Sequence, residues 1–191
     1  FVAPYPASLI KLMVAVGIAR QVDQGRCAWG EPFGHCGRTR TLADWCEDML
    51  VFSCNHSTTA MVARLHRADV LAPFNRLDET FAALGLPTLR LDHTRRDGGW
   101  TNAAGAGVGA LQMTAWDSAR LIWLLDRDAP RAPWLAAAAP PPTLVSAESR
   151  ERLRGWLDDQ ALHEILSSTA LAGVPGWVAG LPAQVSARWV G

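Results

Sequence analysis

The chain has 191 residues, about half of them hydrophobic, and its 18 basic and 18 acidic side chains cancel. That is the size of one domain or one large lobe, with enough apolar sequence to bury a substantial core. A zero balance argues against nucleic acid or an anionic membrane as the main partner, and the longest apolar run, residues 12 to 19, is too short to span a bilayer.

In chain order, Ser8 to Gln24 is expected as a largely buried helix. Ser8 sits at its cap or first turn, apolar residues cover most faces, and Gly25 provides the stop. Arg26 to Arg40 is expected as a polar, Gly-rich loop. Thr41 is a candidate N-cap with Asp44 placed as in a capping box, and Leu42, Trp45, Cys46 and Met49 follow helical spacing. A further helix is expected from Asn55 to about Arg67, and an amphipathic one from Leu71 to Leu84, ended by Gly85. Leu89 to Gly109 has the composition of a long surface loop, a place where function often resides. Thr114 caps a helix to Leu125, Ala129 to Pro142 is a Pro/Ala linker, and Ser146 caps Ala147 to Asp158. A short helix over 161–168 and a strand over 185–190 complete a predominantly helical chain without internal repeats. Trp116, Trp123 and Trp156 fall on helices and are expected in the core.

Four cysteines, Cys27, Cys36, Cys46 and Cys54, contain no Cys-x2-Cys pair, which disfavours zinc shared with His35 or His56. A bridge such as Cys27–Cys36 across the Gly-rich loop is the expectation for an exported protein, with buried thiols as the alternative. The sequence has no nucleophile-elbow or Walker motif and no histidine pattern for a metal. No cofactor and no metal are expected.

One residue stands out chemically. Lys11 is the only lysine among the basic residues, and it follows a serine by three in Ser8-Leu9-Ile10-Lys11. Arginine stays protonated, whereas a desolvated lysine can lose its proton near neutral pH and serve as a base. At a helix start, residues three apart share a face, so the amine can reach the hydroxyl. The helix N-terminus favours the alkoxide that would form. A second element, Ser53-Cys54-Asn55, lies between two expected helices. It offers a hydroxyl able to relay a proton and an amide able to hold lysine and a substrate carbonyl. Asp92 and His93 add a weaker candidate base in the long loop.

Ser8-Leu9-Ile10-Lys11 followed by Ser53-Cys54-Asn55 resembles the first two motifs of the penicillin-recognising serine enzymes, the class A β-lactamases and DD-peptidases. The likeness extends to residues 41–46 ahead of the second motif and to residues 81–92, which resemble the segment entering the family's omega loop. It continues through residues 114–120 and 146–150, so it covers most of the chain. The resemblance implies an α+β two-lobe β-lactamase-like fold. Residues 1–191 would form a single such domain, mainly its helical lobe, with N-terminal and C-terminal strands of the sheet lobe missing. It further implies Ser8 as acylated nucleophile, Lys11 as base, Ser53 as proton shuttle and Asn55 as substrate and lysine contact. The Ser8 backbone N–H would form half of an oxyanion hole. The implied partner is a β-lactam or a peptidoglycan-like peptide amide, and the implied compartment is periplasmic or extracellular; because the chain starts at Phe1 rather than Met, removal of a leader or of more is an expectation. A missing or separate segment would complete the sheet.

Three departures accompany the likeness. No glutamate lies between Glu79 and Glu148 to activate a deacylating water, although Asp92 or Asp97 could substitute, and Asn102 matches the omega-loop asparagine only loosely. No Lys-Thr-Gly follows Leu181-Pro182-Ala183, where the register reaches Arg188-Trp189-Val190-Gly191. Only seven residues precede Ser8, against roughly forty in the family. A non-turnover β-lactam sensor, a degenerate homologue and an esterase with the same Ser-x-x-Lys pair therefore stand beside the hydrolase reading.

Overall fold

A computed structural model describes residues 7–100, 111–126, 128–135 and 143–160. Asn102 and the elements expected over 161–168 and 185–190 lie outside these, as does the segment around Leu181. A short 3-10 turn, Ala7–Leu9, leads directly into helix α1, Ile10–Asp23. Nearly every residue of α1 from Ile10 to Ala19 is buried, as expected for a helix apolar on all faces and enclosed by neighbours. Around it pack α2 (Leu42–Val51), α3 (Asn55–Arg67) and α6 (Ala147–Asp158). The shorter α4 (Arg76–Ala83) and α5 (Ala115–Leu125) lie further out. The core is continuous, running from Met13, Val14 and Ile18 of α1 through Trp45, Met49, Met61 and Leu65 to Phe81 and Leu153.

The caps follow their sequence signatures. Thr41 and Asp44 form a reciprocal capping box at α2, and Thr114 and Ser146 accept from Asp117 and Ser149 at α5 and α6. Such caps contribute about 1 kcal/mol each. The α1 and α6 ends are tied together: the Asp23 carboxylate accepts from the Ser146 N–H and from the Ser146 and Ser149 hydroxyls, all at 2.6 Å.

Several expectations change. The Gly-rich loop contains an antiparallel hairpin, β1 (Pro32–His35) with β2 (Arg38–Thr41), closed by Cys36 and Gly37 at φ 46° and 76°. Positive φ at both central residues is a type I′ pattern, and it escaped notice because cysteine stands where asparagine usually signals it. The Trp45 indole donates to the Phe33 carbonyl at 2.9 Å and fixes this hairpin on α2. The four cysteines are free, so the expected Cys27–Cys36 bridge is absent. Cys36 sits exposed at the hairpin tip, whereas Cys27 is partly buried against the core. The helix expected from Leu71 begins instead at Arg76, because Pro73 interrupts the run and Asn75 supplies the cap. Trp156 is buried as expected, but Trp116 and Trp123 are at the surface. Arg120 lies over the Trp116 ring, and the Trp123 indole donates to the Pro130 carbonyl.

The long loop is also pinned. Strand β3 (Arg90–Leu91) pairs with β4 (Leu111–Gln112), and both backbone groups of Leu91 bond to the start of α4. Asn75 donates to the Leu91 carbonyl at 3.2 Å, and the Leu91 N–H donates to Asp78 at 2.9 Å. Burial pushes the Asp78 carboxyl up to about 6; Asp92 adds to the rise, while the Leu91 N–H and Arg90 oppose it. A raised acid pKa means the folded state holds the proton more tightly than the unfolded chain does. The contribution of this one group to stability is therefore fully present in acid and is lost as pH rises from about 4 through 6. Asp78→Asn keeps the acceptor for Leu91 and removes the charge. The variant is expected to gain about 1–3 kcal/mol over the parent at pH 8 and nothing at pH 4. Urea midpoints across that range would read it, and an equal difference at both pH values would refute it.

Candidate active site

Ser8 lies in the 3-10 turn rather than at a conventional N-cap. The cap position is Leu9, whose backbone is already helical and whose side chain makes no cap bond. Residues three apart eclipse one another in a 3-10 turn, which sets the Lys11 side chain beneath Ser8 and leaves the Ser8 hydroxyl uncommitted to capping. Ser53 comes from the link between α2 and α3. Its φ of 54° is left-handed, a conformation that costs a non-glycine residue about 1 kcal/mol or more. The following Cys54 N–H closes on the Asp48 carbonyl at 3.1 Å, holding the link taut. This backbone turn points both the carbonyl and the hydroxyl of Ser53 at Lys11.

The three residues make a closed ring. Lys11 Nζ donates to Ser8 Oγ at 2.7 Å, to Ser53 Oγ at 2.8 Å and to the Ser53 carbonyl at 2.9 Å; Ser53 Oγ donates to Ser8 Oγ at 2.9 Å. Lys11 is only 4% exposed, whereas Ser8 is exposed. Burial lowers the ammonium below its usual 10.5, and the smaller influence of Cys54 works the other way. When Nζ is neutral it has two donors and one lone pair. The carbonyl takes one donor, one hydroxyl takes the other, and the lone pair is left for the remaining hydroxyl proton. The geometry thus allows Ser8 to surrender its proton to Lys11 directly or through Ser53.

Asn55 is the first residue of α3 and is exposed. Among the described residues its side chain has no bond to Lys11, whose three N–H groups are taken by the two serines. The loop acids also lie elsewhere. Asp92 pairs with Arg90 at 2.9 Å, and Asp97 pairs with Arg95 and caps the Gly99 N–H. Two residues escaped the sequence reading. Leu9 and Phe52, chain neighbours of Ser8 and Ser53, are large apolar residues left 57% and 60% exposed. Only their adjacency to the motif serines marked them in the sequence.

No protein-family model matches the chain, and no curated protein matches it by sequence. Solved structures do match. An ancestral class A β-lactamase of Gram-negative bacteria is 22% identical, with TM-score 0.61 over 96% of this chain and 64% of its own. A variant of the chromosome-encoded β-lactamase of Vibrio parahaemolyticus is 16% identical, with TM-score 0.61 over 84% of this chain and 59% of its own. A variant of the Gram-negative last-common-ancestor class A enzyme, bound to 5(6)-nitrobenzotriazole, is 20% identical, with TM-score 0.57 over 86% and 59%. The chain spans about three fifths of the length of these structures. The architecture is therefore that of the β-lactamase-like α+β fold, and the described residues supply its helical lobe with two small pieces of sheet. Among the described residues no helix is long and apolar enough to cross a membrane.

Proposed function

We propose that this chain carries the acylation half of a serine hydrolase of β-lactamase or DD-peptidase type, with residues 1–191 belonging to one such domain. The observation that supports this most is the buried Lys11 amine bonded at once to both serine hydroxyls. In the proposed step the Ser8 Oγ–H proton moves to neutral Lys11, and Oγ attacks the carbonyl carbon of a β-lactam or peptide amide. The C–N bond then breaks, and the departing nitrogen takes a proton delivered by Ser53, which Lys11 replenishes. In this reading the exposed Asn55 amide would meet the substrate, and the Ser8 N–H would serve as one oxyanion donor. The exposed Leu9 and Phe52 side chains suit a substrate with an apolar side group. Export to the periplasm or outside the cell fits this chemistry.

A second reading, an acyl-enzyme that forms and persists, is favoured by one specific observation. Asp92 and Asp97 are engaged with arginines, and neither bonds to the serine–lysine ring, so neither of these two acids is presented to it as a base for a deacylating water. Incubation with a fluorescent penicillin, read by intact mass, tests both. Ring opening adds the whole mass of the drug, with no fragment lost. A stable adduct absent in Ser8→Ala supports the persistent acyl-enzyme, and turnover supports a β-lactamase. Absence of both an adduct and ester cleavage would sink the hydrolase reading. The acylation rate should rise with pH as Lys11 deprotonates and level off below pH 10.5, the ordinary lysine value. A rate falling with pH over the same span would exclude Lys11 as the base.

A further inference from the structure

At the opposite end of α1 from Lys11, a cavity of about 170 Å³ opens between the last turns of α1, the segment after α3 and the start of α4. That volume is roughly ten times the 10–15 Å³ a single water needs. Three arginines, Arg20, Arg26 and Arg76, line it, and no carboxylate does.

The backbone fixes these arginines in place. Gly25, at φ 66°, ends α1 in a Schellman closure in which the Gly25 N–H bonds the Val22 carbonyl and the Arg26 N–H bonds the Gln21 carbonyl. Arg76 is held by its N–H, which donates to the Val70 carbonyl at 2.9 Å. An ordinary explanation would make these arginines caps for helix carbonyls or partners of surface acids. Arg20 does bond the Thr143 and Leu144 carbonyls, but the guanidinium groups of Arg26 and Arg76 have no such bond among the described residues. The nearby Asp23 is occupied by Ser146 and Ser149. Burial lowers the Arg20 guanidinium from its usual value, with Asp23 opposing, so one cation at the cavity is partly desolvated.

Gln21 adds an independent sign. It lines the cavity, is 4% exposed, and its Oε1 has no hydrogen-bond partner, while its Nε2 reaches Gln24 at only 3.5 Å. Turning the amide over would leave its nitrogen unpaired instead, so an orphaned buried polar atom remains either way. Gly17 and Leu77 supply the apolar floor. We infer that this cavity binds a small polyol phosphate ester: the phosphate lies against Arg26, Arg76 and the free edge of Arg20, and the Gln21 amide, whose Oε1 is closed off in the cavity wall, turns to accept from a neighbouring hydroxyl. The site is separate from the serine–lysine ring, since ten residues of α1 span about 15 Å.

Calorimetric titration of the whole chain at constant ionic strength, with glycerol 3-phosphate, sulfate and glycerol as probes, tests this inference. Saturable binding of glycerol 3-phosphate is expected, about tenfold tighter than sulfate, with none for glycerol. Arg26→Gln and Arg76→Gln should each weaken glycerol 3-phosphate by about tenfold or more. Both positions are exposed, so the fold is expected to survive, as circular dichroism would verify. Gln21→Leu should remove the preference over sulfate, and Ser8→Ala should leave binding unchanged. Failure to saturate by about 10 mM, which leaves less than about 3 kcal/mol of binding, would overturn the proposal. So would affinity unaltered in the double arginine variant. Equal affinity for sulfate and glycerol 3-phosphate in the parent would overturn the role given to Gln21.

Discussion

Lys11→Arg is expected to slow acylation of Ser8 by about 10³-fold or more, although it preserves the positive charge. General-base contributions run to about 10²–10⁴-fold, and a guanidinium cannot deprotonate to make one. Lys11→Met should lose as much while removing the buried cation. Desolvation lowers the pKa of Lys11, so the folded state binds its proton less tightly than the unfolded chain does. The parent's stability should therefore rise with pH until the unfolded lysine, near 10.5, also deprotonates, and Lys11→Met should lose that rise. Single-turnover acylation by a chromogenic β-lactam or ester, together with urea midpoints at pH 7 and 10, would read both effects. An arginine variant that acylates within tenfold of the parent would remove Lys11 from the mechanism.

Gly98→Ala is expected to be the most damaging single methyl in the described chain. Gly98 has φ 87°, and a Cβ placed there would stand 1.9 Å from the Thr59 carbonyl oxygen on α3. The turn has little freedom to yield. The Arg95 N–H bonds the Gly99 carbonyl, the Gly98 N–H bonds the Arg95 carbonyl, and Asp97 caps Gly99. A second tie holds the loop to the same helix, Thr94 Oγ1 lying 2.8 Å from His66 Nε2. Left-handed strain and overpacking together suggest a loss of about 2–4 kcal/mol. Gly30→Ala, where nothing lies within 4 Å, is the control and should be nearly neutral. Equal urea midpoints for the two variants would refute the argument. Thr59 lies one turn beyond Asn55, so lifting the loop should also disturb the start of α3.

Much of the helical frame could be read locally. Thr41 with Asp44, Thr114 with Asp117 and Ser146 with Ser149 announce their helices because a cap needs only a side-chain oxygen and an N–H three residues on. The Ser8–Lys11 pairing was legible for the same reason, being three residues long. The hairpin at Cys36–Gly37 and the late start of α4 were missed where a turn used an unusual residue or a proline broke an amphipathic run. The loop ties through Asp78, Thr94 and Gly98 were not readable at all, because Asp78 and Thr94 bond, and Gly98 packs against, partners distant along the chain.

The sequence by itself determined that a lone lysine stands one helical turn from a serine and that a Ser-x-Asn link follows two helices later. Those facts depend on spacing, and spacing is local. Only the tertiary structure decided that Ser53, 42 residues from Lys11, turns its carbonyl and hydroxyl onto the same amine. It also decided that α1 is enclosed tightly enough to desolvate that amine, and that the acidic side chains of the loop face arginines instead. Burial and long-range orientation arise from how helices pack against one another, and that packing is not encoded in any short stretch of chain.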